Sequence, residues 1–317
     1  MGELMVISRS LSADGNFAPS AVNFLKNIPE KYLFHAQQKL RHPAAIYSFS
    51  LTKISEALGK VIPEYLAKSS EFRYADGKQF DITILLSQQE TLLKALQEHI
   101  DDCYLILKTL VDPSAVKRTP LFADRYVIEN KLPGAKYFQR AIVTVKSHLQ
   151  IANKLKHQQG RLRAVAAWPP ASVHFGYFLE EPDDKGVLGP SADIHPDQGA
   201  FSFSHDLPFR LWDLYVCSEK LVEALKTALS TLHGFQLTSC VAAEPCWCSV
   251  VDNICKVPLA IFPKEQQKPL ARFLMKDPDT LEIHFPVLVN VAFPKPLKMS
   301  VSTKGDGYSR SFKIPLP

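Results

Sequence analysis

The chain has 317 residues, of which 46% are apolar, 22% charged and 10% aromatic. This composition excludes an intrinsically disordered chain, and a core of that size needs neither disulfide nor metal for stability. The net charge of +5 is unevenly carried: from Asn130 to Leu179 there is no acidic residue and there are eight lysines and arginines, so the rest of the chain is net negative.

No run approaches the ~18 consecutive apolar residues of a membrane span, and the N-terminus lacks the apolar core of a secretory signal. Val6 stands where a myristoylation signal requires Ser or Thr. Six cysteines without a small-domain spacing framework fit reduced thiols. The expectation is a cytoplasmic protein with no membrane partner.

Residues 1–16 are expected to be a flexible arm with a turn at Asp14-Gly15, followed by helical pieces cut at Pro29. A helix is predicted from about Thr52 to Lys68, with Ile54, Leu58, Val61, Ile62 and Tyr65 on one side and a kink at Pro63. Phe72, Tyr74, Phe80, Ile82 and Ile84 around Asp76-Gly77 read as a small hairpin. Ser87 and Glu90 form a capping box for a helix carrying Leu93, Leu96, Ile100, Cys103, Leu107 and Leu110, which ends before Asp112-Pro113. Cys103 is expected to serve there as a small apolar residue.

Pro133 and Gly134 break the chain before a second long helix, in which Phe138, Ile142, Val145, Leu149 and Ala152 recur at three- and four-residue steps up to a stop at Gly160. The two helices are expected to pack antiparallel as the core of a helical domain over 17–165.

Prolines, 23 against 13 glycines, cluster from Trp168 onward and mark a change of architecture. Arg161–Trp168 and Ser172–Leu179 read as strands, Glu181–Gly199 as turns and Leu211–Cys217 as a strand. Ser218 is the expected cap of a helix through Leu221, Val222, Leu225, Ala228, Leu229 and Leu232 to Gly234, with a strand over Phe235–Val241. Strict alternation from Leu281 to Phe293 predicts a strand, with Pro286 at an edge or bulge and two shorter strands divided at Asn290 as the alternative, and Met299–Thr303 with Tyr308–Ile314 a terminal hairpin. The predicted fold class is α+β: a helical, bundle-like domain with a small hairpin, then an α+β domain over 166–317.

Lys146, Lys154, Lys156, Arg161 and Arg163, with Asn153 and His157 one helical turn apart, form the candidate anion-binding surface, suited to RNA or a nucleotide. The alternative is equally physical: Glu180, Glu181, Asp183, Asp184, Asp193, Asp197 and Asp206 follow directly and are able to fold back as neutralising partners.

The hexamer Ala152-Asn153-Lys154-Leu155-Lys156-His157 resembles the region of HEPN proteins in which an arginine and a polar residue are followed by a histidine. The resemblance implies a small helical bundle that often dimerises and, where the motif is complete, cleaves RNA or transfers nucleotides. Asn153 and His157 match the polar and histidine positions, and Ala152 replaces the arginine, removing the guanidinium that would hold a phosphate.

Two other clusters are weighed. Cys240, Cys246, Cys248 and Cys255 lack the paired spacing of a zinc site and are expected to be thiols. Asp193, His195, Asp197, His205 and Asp206 contain the elements of a cation or acid–base site but no ligand motif, so turn and capping roles are expected for the aspartates. Phosphate-binding glycine loops, GxSxG elbows and HExxH helices are absent from the sequence. The expected function is therefore a binding or scaffold protein without catalysis, metal or cofactor. Two alternatives stand beside it: a divergent HEPN-like ribonuclease using His157, and a protein–protein interaction module. A homodimer would use the N-terminal helices.

Overall fold

A computed structural model describes residues 4–73, 81–157, 160–167, 174–182, 186, 188–197, 199–237, 247–287, 298–305 and 308–315. The protein is α+β, with a helical N-terminal part followed by helices and antiparallel sheets.

The expected N-terminal arm instead begins with a strand, β1 (Met5–Ser10), followed by the short helix α1 (Leu11–Asp14). Two polar clips hold this segment. Arg9, 6% exposed, lies 3.1 Å from Asp14, and the Ser10 and Ser12 hydroxyls each donate to Asp279 at 2.7 Å. After α2 (Ala21–Lys26) comes α3 (Pro43–Arg73), which starts on a proline whose missing donor is unneeded there and runs on through Pro63. Its stripe of Ile54, Leu58, Val61, Ile62 and Tyr65 is buried as the spacing predicts.

Phe72 belongs to α3 and Ile84 to α4 (Thr83–Lys108), so helix replaces the predicted hairpin at both ends, and its turn lies outside the described residues. Capping also shifts. Asp81 accepts the Thr83 amide at 2.9 Å, whereas Ser87 sits inside the helix. The leucine stripe of α4 packs chiefly on α3. The segment after Gly134 is a lesser partner because it is not one helix: it divides into α6 (Ala135–Ala141), α7 (Val143–His148) and α8 (Gln150–His157), after α5 (Ala123–Glu129). Gly134, at φ 80°, lies so close to α9 (Phe203–His233) that a Cβ there would stand 2.5 Å from the Ala224 carbonyl oxygen.

The strands β2 (Arg161–Ala167) and β3 (His174–Pro182) form as predicted and pair antiparallel, extended by β4 (Leu188–Pro190) and by β5 (Phe201–Ser202), which pairs with β3. The predicted strand Leu211–Cys217 is instead the middle of α9. That helix is buried on nearly every side between α2, α4, α6, β3 and β6, so it has no polar face to show a helical period. Its cap is Ser202, which accepts the His205 amide at 3.2 Å; Ser218 lies mid-helix, and Gly234 ends it at φ 62° as predicted. Residues 235–237 carry no strand, and 238–246 lie outside the described residues.

Beyond α10 (Trp247–Ile254), β6 (Leu270–Asp277) and β7 (Thr280–Val287) form a sheet in the order β1-β7-β6. Pro286 sits where the β6–β7 register shifts, satisfying the bulge alternative rather than the edge one, since β7 is central. The last hairpin, β8 (Lys298–Gly305) and β9 (Tyr308–Pro315), is antiparallel as predicted. One continuous buried cluster takes in residues from Phe17 to Ile283, with α9 through its middle.

Candidate functional site

The acidic segment folds back onto the basic one. Lys154 Nζ lies 2.8 Å from Glu181 and 2.8 Å from Asp193, and Arg163 pairs with Glu180 across β2–β3 at 2.8 Å. Burial works to lower Lys154, yet hydrogen bonds to Asp193 and Glu181 carry it above the usual lysine range. Lys146 lies over the Tyr104 ring at 4.5 Å. Asn153, Lys156, His157 and Arg161 are exposed. Ala152 is 2% exposed, so the position that would carry the HEPN arginine faces the core.

On α8, Gln150, Asn153, Lys154 and His157 share one face at ~100° per residue. Gln150 leads to the feature that composition did not announce. A cavity of about 350 Å³ opens between α7, the 191–197 loop, the first turns of α9 and the Lys268-Pro269 approach to β6. Rings form its walls. The Phe209 ring lies 4.6 Å from His148 and 5.7 Å from His205, and Lys268 Nζ stands 5.8 Å from the centre of the Phe201 ring.

Its floor is a buried polar network on α9. Asp206 accepts from Gln89 of α4 at 2.7 Å and from Tyr177 of β3 at 2.6 Å, and it pairs with Arg210 one turn on at 3.0 Å. Burial works against the Arg210 charge, but Asp206, Tyr177 and Asp213 together raise it above its ordinary value. Arg210 also donates to the His148 carbonyl at 2.6 Å, fixing α7 to α9. Burial raises Asp213, against the hydrogen bond from His148. Thus Asp206 is neither a turn nor a cap residue: its carboxylate ties three elements together.

Gln89 Oε1, His205 Nε2 and Arg210 Nε in this network are buried and have no hydrogen-bond partner among the described residues. Burial pushes His205 down to about 4, so the ring is neutral near pH 7. His195 is spent differently: its Nε2 accepts the Leu179 amide at 2.9 Å and its Nδ1 donates to the Gly199 carbonyl at 2.8 Å. It is a staple for the 191–199 turn, in which Asp197 takes the expected turn role by accepting the Gly199 amide. Of the sequence candidates, the cavity collects only Asp193, His205 and Asp206.

His148, Phe209, Arg210, Asp213 and Lys268 carried no motif. The available signal was the spacing of Asp206, Arg210 and Asp213, a charged stripe at i, i+4 and i+7 through an apolar run. A groove of about 480 Å³ between α3 and α4 is lined by Lys53, Lys60, Lys94 and Glu98; Lys53 pairs with Glu98 and Lys94 with Glu90. Cys248 and Cys255 are half-buried and in no disulfide among the described residues, while Cys240 and Cys246 lie outside them. Among the described residues no helix is long and apolar enough to cross a membrane. No protein-family model matches the chain, and neither a curated protein nor a solved structure is similar to it.

Proposed function

We propose that the chain binds a nucleotide unit, free or at an exposed end of RNA, with the base in the cavity and the phosphate side along α8. One observation carries this reading: a ring-walled cavity, with a neutral imidazole whose Nε2 has no partner among the described residues, opens beside Gln150, on the helical face that continues to Asn153 and His157. Unpaired bases are recognised by stacking on aromatic and imidazole rings and by hydrogen bonds to their edges, and His205 Nε2 offers a fixed acceptor to a base amino group. Lys268 lines the cavity, 3.5 Å from Asp197, and exposed Lys156 stands on the neighbouring side of α8; together they would bring positive charge to the phosphate side of the ligand. Lys154 and Arg163 are committed to carboxylates and leave the candidate surface.

The test is equilibrium titration of the full chain with mononucleotides and with a short single-stranded RNA. Saturable binding is expected, weakened by His205→Ala and Phe209→Ala and reduced by salt only for the RNA. No binding of either ligand at millimolar concentration refutes the proposal.

The His148–Asp213 pair favours a second reading, in which bound RNA is also cut. His148 Nδ1 lies 3.0 Å from buried Asp213, an arrangement suited to proton transfer at a cavity wall. This reading requires RNA cleavage that His148→Ala abolishes with the fold intact. The HEPN-like alternative instead requires His157, which stands exposed at the end of α8.

A further inference from the structure

Away from the cavity, three groups able to bind a soft metal meet inside the core where α3, α4 and α9 converge. Cys103 and His99 are one turn apart on α4, and Cys217 faces them from α9. A ring nitrogen of His99 and the two sulfurs lie within 4.8 Å of one another, and all three residues are buried. The two Sγ atoms are 3.9 Å apart. Two thiolates on one tetrahedral zinc, at ~2.3 Å each, stand about 3.8 Å apart, whereas a disulfide requires ~2.05 Å.

The imidazole is prepared in the way metal-bound histidines are. Nδ1 is hydrogen-bonded to the Ser50 hydroxyl at 2.9 Å, which fixes the ring, and Nε2 is buried without a partner among the described residues. Tyr47 packs edge-on against that ring at 5.1 Å, with its hydroxyl beside the two cysteines and Ser218.

We propose that His99, Cys103 and Cys217 form a structural zinc site that pins α4 to α9. Charge selects a divalent ion. Two Zn–S bonds form as two thiol protons leave to solvent, so Zn²⁺ with two thiolates and a neutral imidazole is neutral overall. A monovalent soft ion would leave one negative charge uncompensated in an apolar core. The histidine and two cysteines are three of the four ligands a closed site takes, and the Tyr47 hydroxyl is a polar group beside them. The Cys240–Cys255 group is separate from this site in sequence.

The experiment uses the full chain, expressed with zinc and purified without chelator. About one zinc per chain is expected, retained when Cys248 and Cys255 are replaced by Ser and lost in Cys217→Ala. Because a core variant can fail to fold, the wild-type protein is also loaded with cobalt during refolding. A thiolate-to-cobalt charge-transfer band of the intensity given by two thiolates is expected, and it persists in the Cys248→Ser, Cys255→Ser chain. Substoichiometric metal in the wild type, a cobalt spectrum without thiolate bands, or isolation of a Cys103–Cys217 disulfide overturns the assignment. Zinc that follows the Cys248 and Cys255 substitutions overturns it as well.

Discussion

His148 Nδ1 lies 3.0 Å from Asp213 Oδ2, joining a residue of the short helix α7 to one 65 positions later in the buried helix α9. Arg210 completes the link by donating to the His148 carbonyl. Cutting this tie leaves Asp213 buried with only the more distant Arg210 to offset its charge. His148→Ala is expected to lower stability by about 2 kcal/mol, and Asp213→Asn by less, because the amide still accepts from the imidazole. Urea unfolding of both variants at one pH checks the order.

Acid unfolding follows from the two imidazoles of the 191–206 region. Burial pushes His195 and His205 down from 6.5 to about 4. With folded values below unfolded ones, the unfolded chain takes up protons first. Stability is full above pH 6.5 and falls as pH drops toward 4, by roughly 3 kcal/mol for each ring. The expected result is a urea midpoint that declines across that interval, with the His195 and His205 ring signals in nuclear magnetic resonance untitrated at pH 5.5. Titration of both rings near 6.5 contradicts it.

Glu265 acts in the opposite sense. It accepts the Ser202 and Phe262 amides at 2.9 Å each, yet burial raises it to about 7. A carboxyl raised in the folded state stabilises below its unfolded value near 4.5, and that contribution is lost as pH rises through 7. Wild-type stability should fall between pH 5 and 8 by roughly 3 kcal/mol on this account. Glu265→Gln should be less stable at pH 5, because one amide loses its acceptor, and should show a flatter profile across the same range.

Lys154 and Lys156 separate structural from ligand-directed charge. Lys154 is 13% exposed and bridges Glu181 and Asp193, so Lys154→Ala should cost about 1–2 kcal/mol in unfolding free energy. Lys156 is exposed on α8, and Lys156→Ala should leave stability within about 0.5 kcal/mol while weakening RNA binding and reducing its salt dependence. Equal loss of RNA affinity in both variants contradicts this division.

The long helices α3 and α4 were legible because each has a wet face. The Ile54–Tyr65 stripe and the leucines of α4 lie where their period places them, and the strands β2 and β3 and the terminal hairpin lie where their sequences place them. Leu211–Cys217 misled for a physical reason: a helix surrounded by other elements has apolar residues at nearly every position, and its few charges face one another rather than water. The long post-Gly134 helix failed differently. Its apolar spacing is real, but the backbone leaves regular helix at Ile142 and Leu149 while keeping both side chains in the core. Of the candidate site, the basic run and its acidic counterweight were visible. The cavity was not, since His148, Phe209 and Lys268 meet only through tertiary folding.

The pairing of Met5–Ser10 with Thr280–Phe285 bears on the order of events during synthesis. The first strand leaves the ribosome roughly 270 residues ahead of its neighbour. For most of translation the Met5–Ser10 backbone therefore has no native sheet to join. Its edge closes only after the tract around Ile283 has emerged, so the three-stranded sheet is a late event however early the α3–α4 hairpin packs.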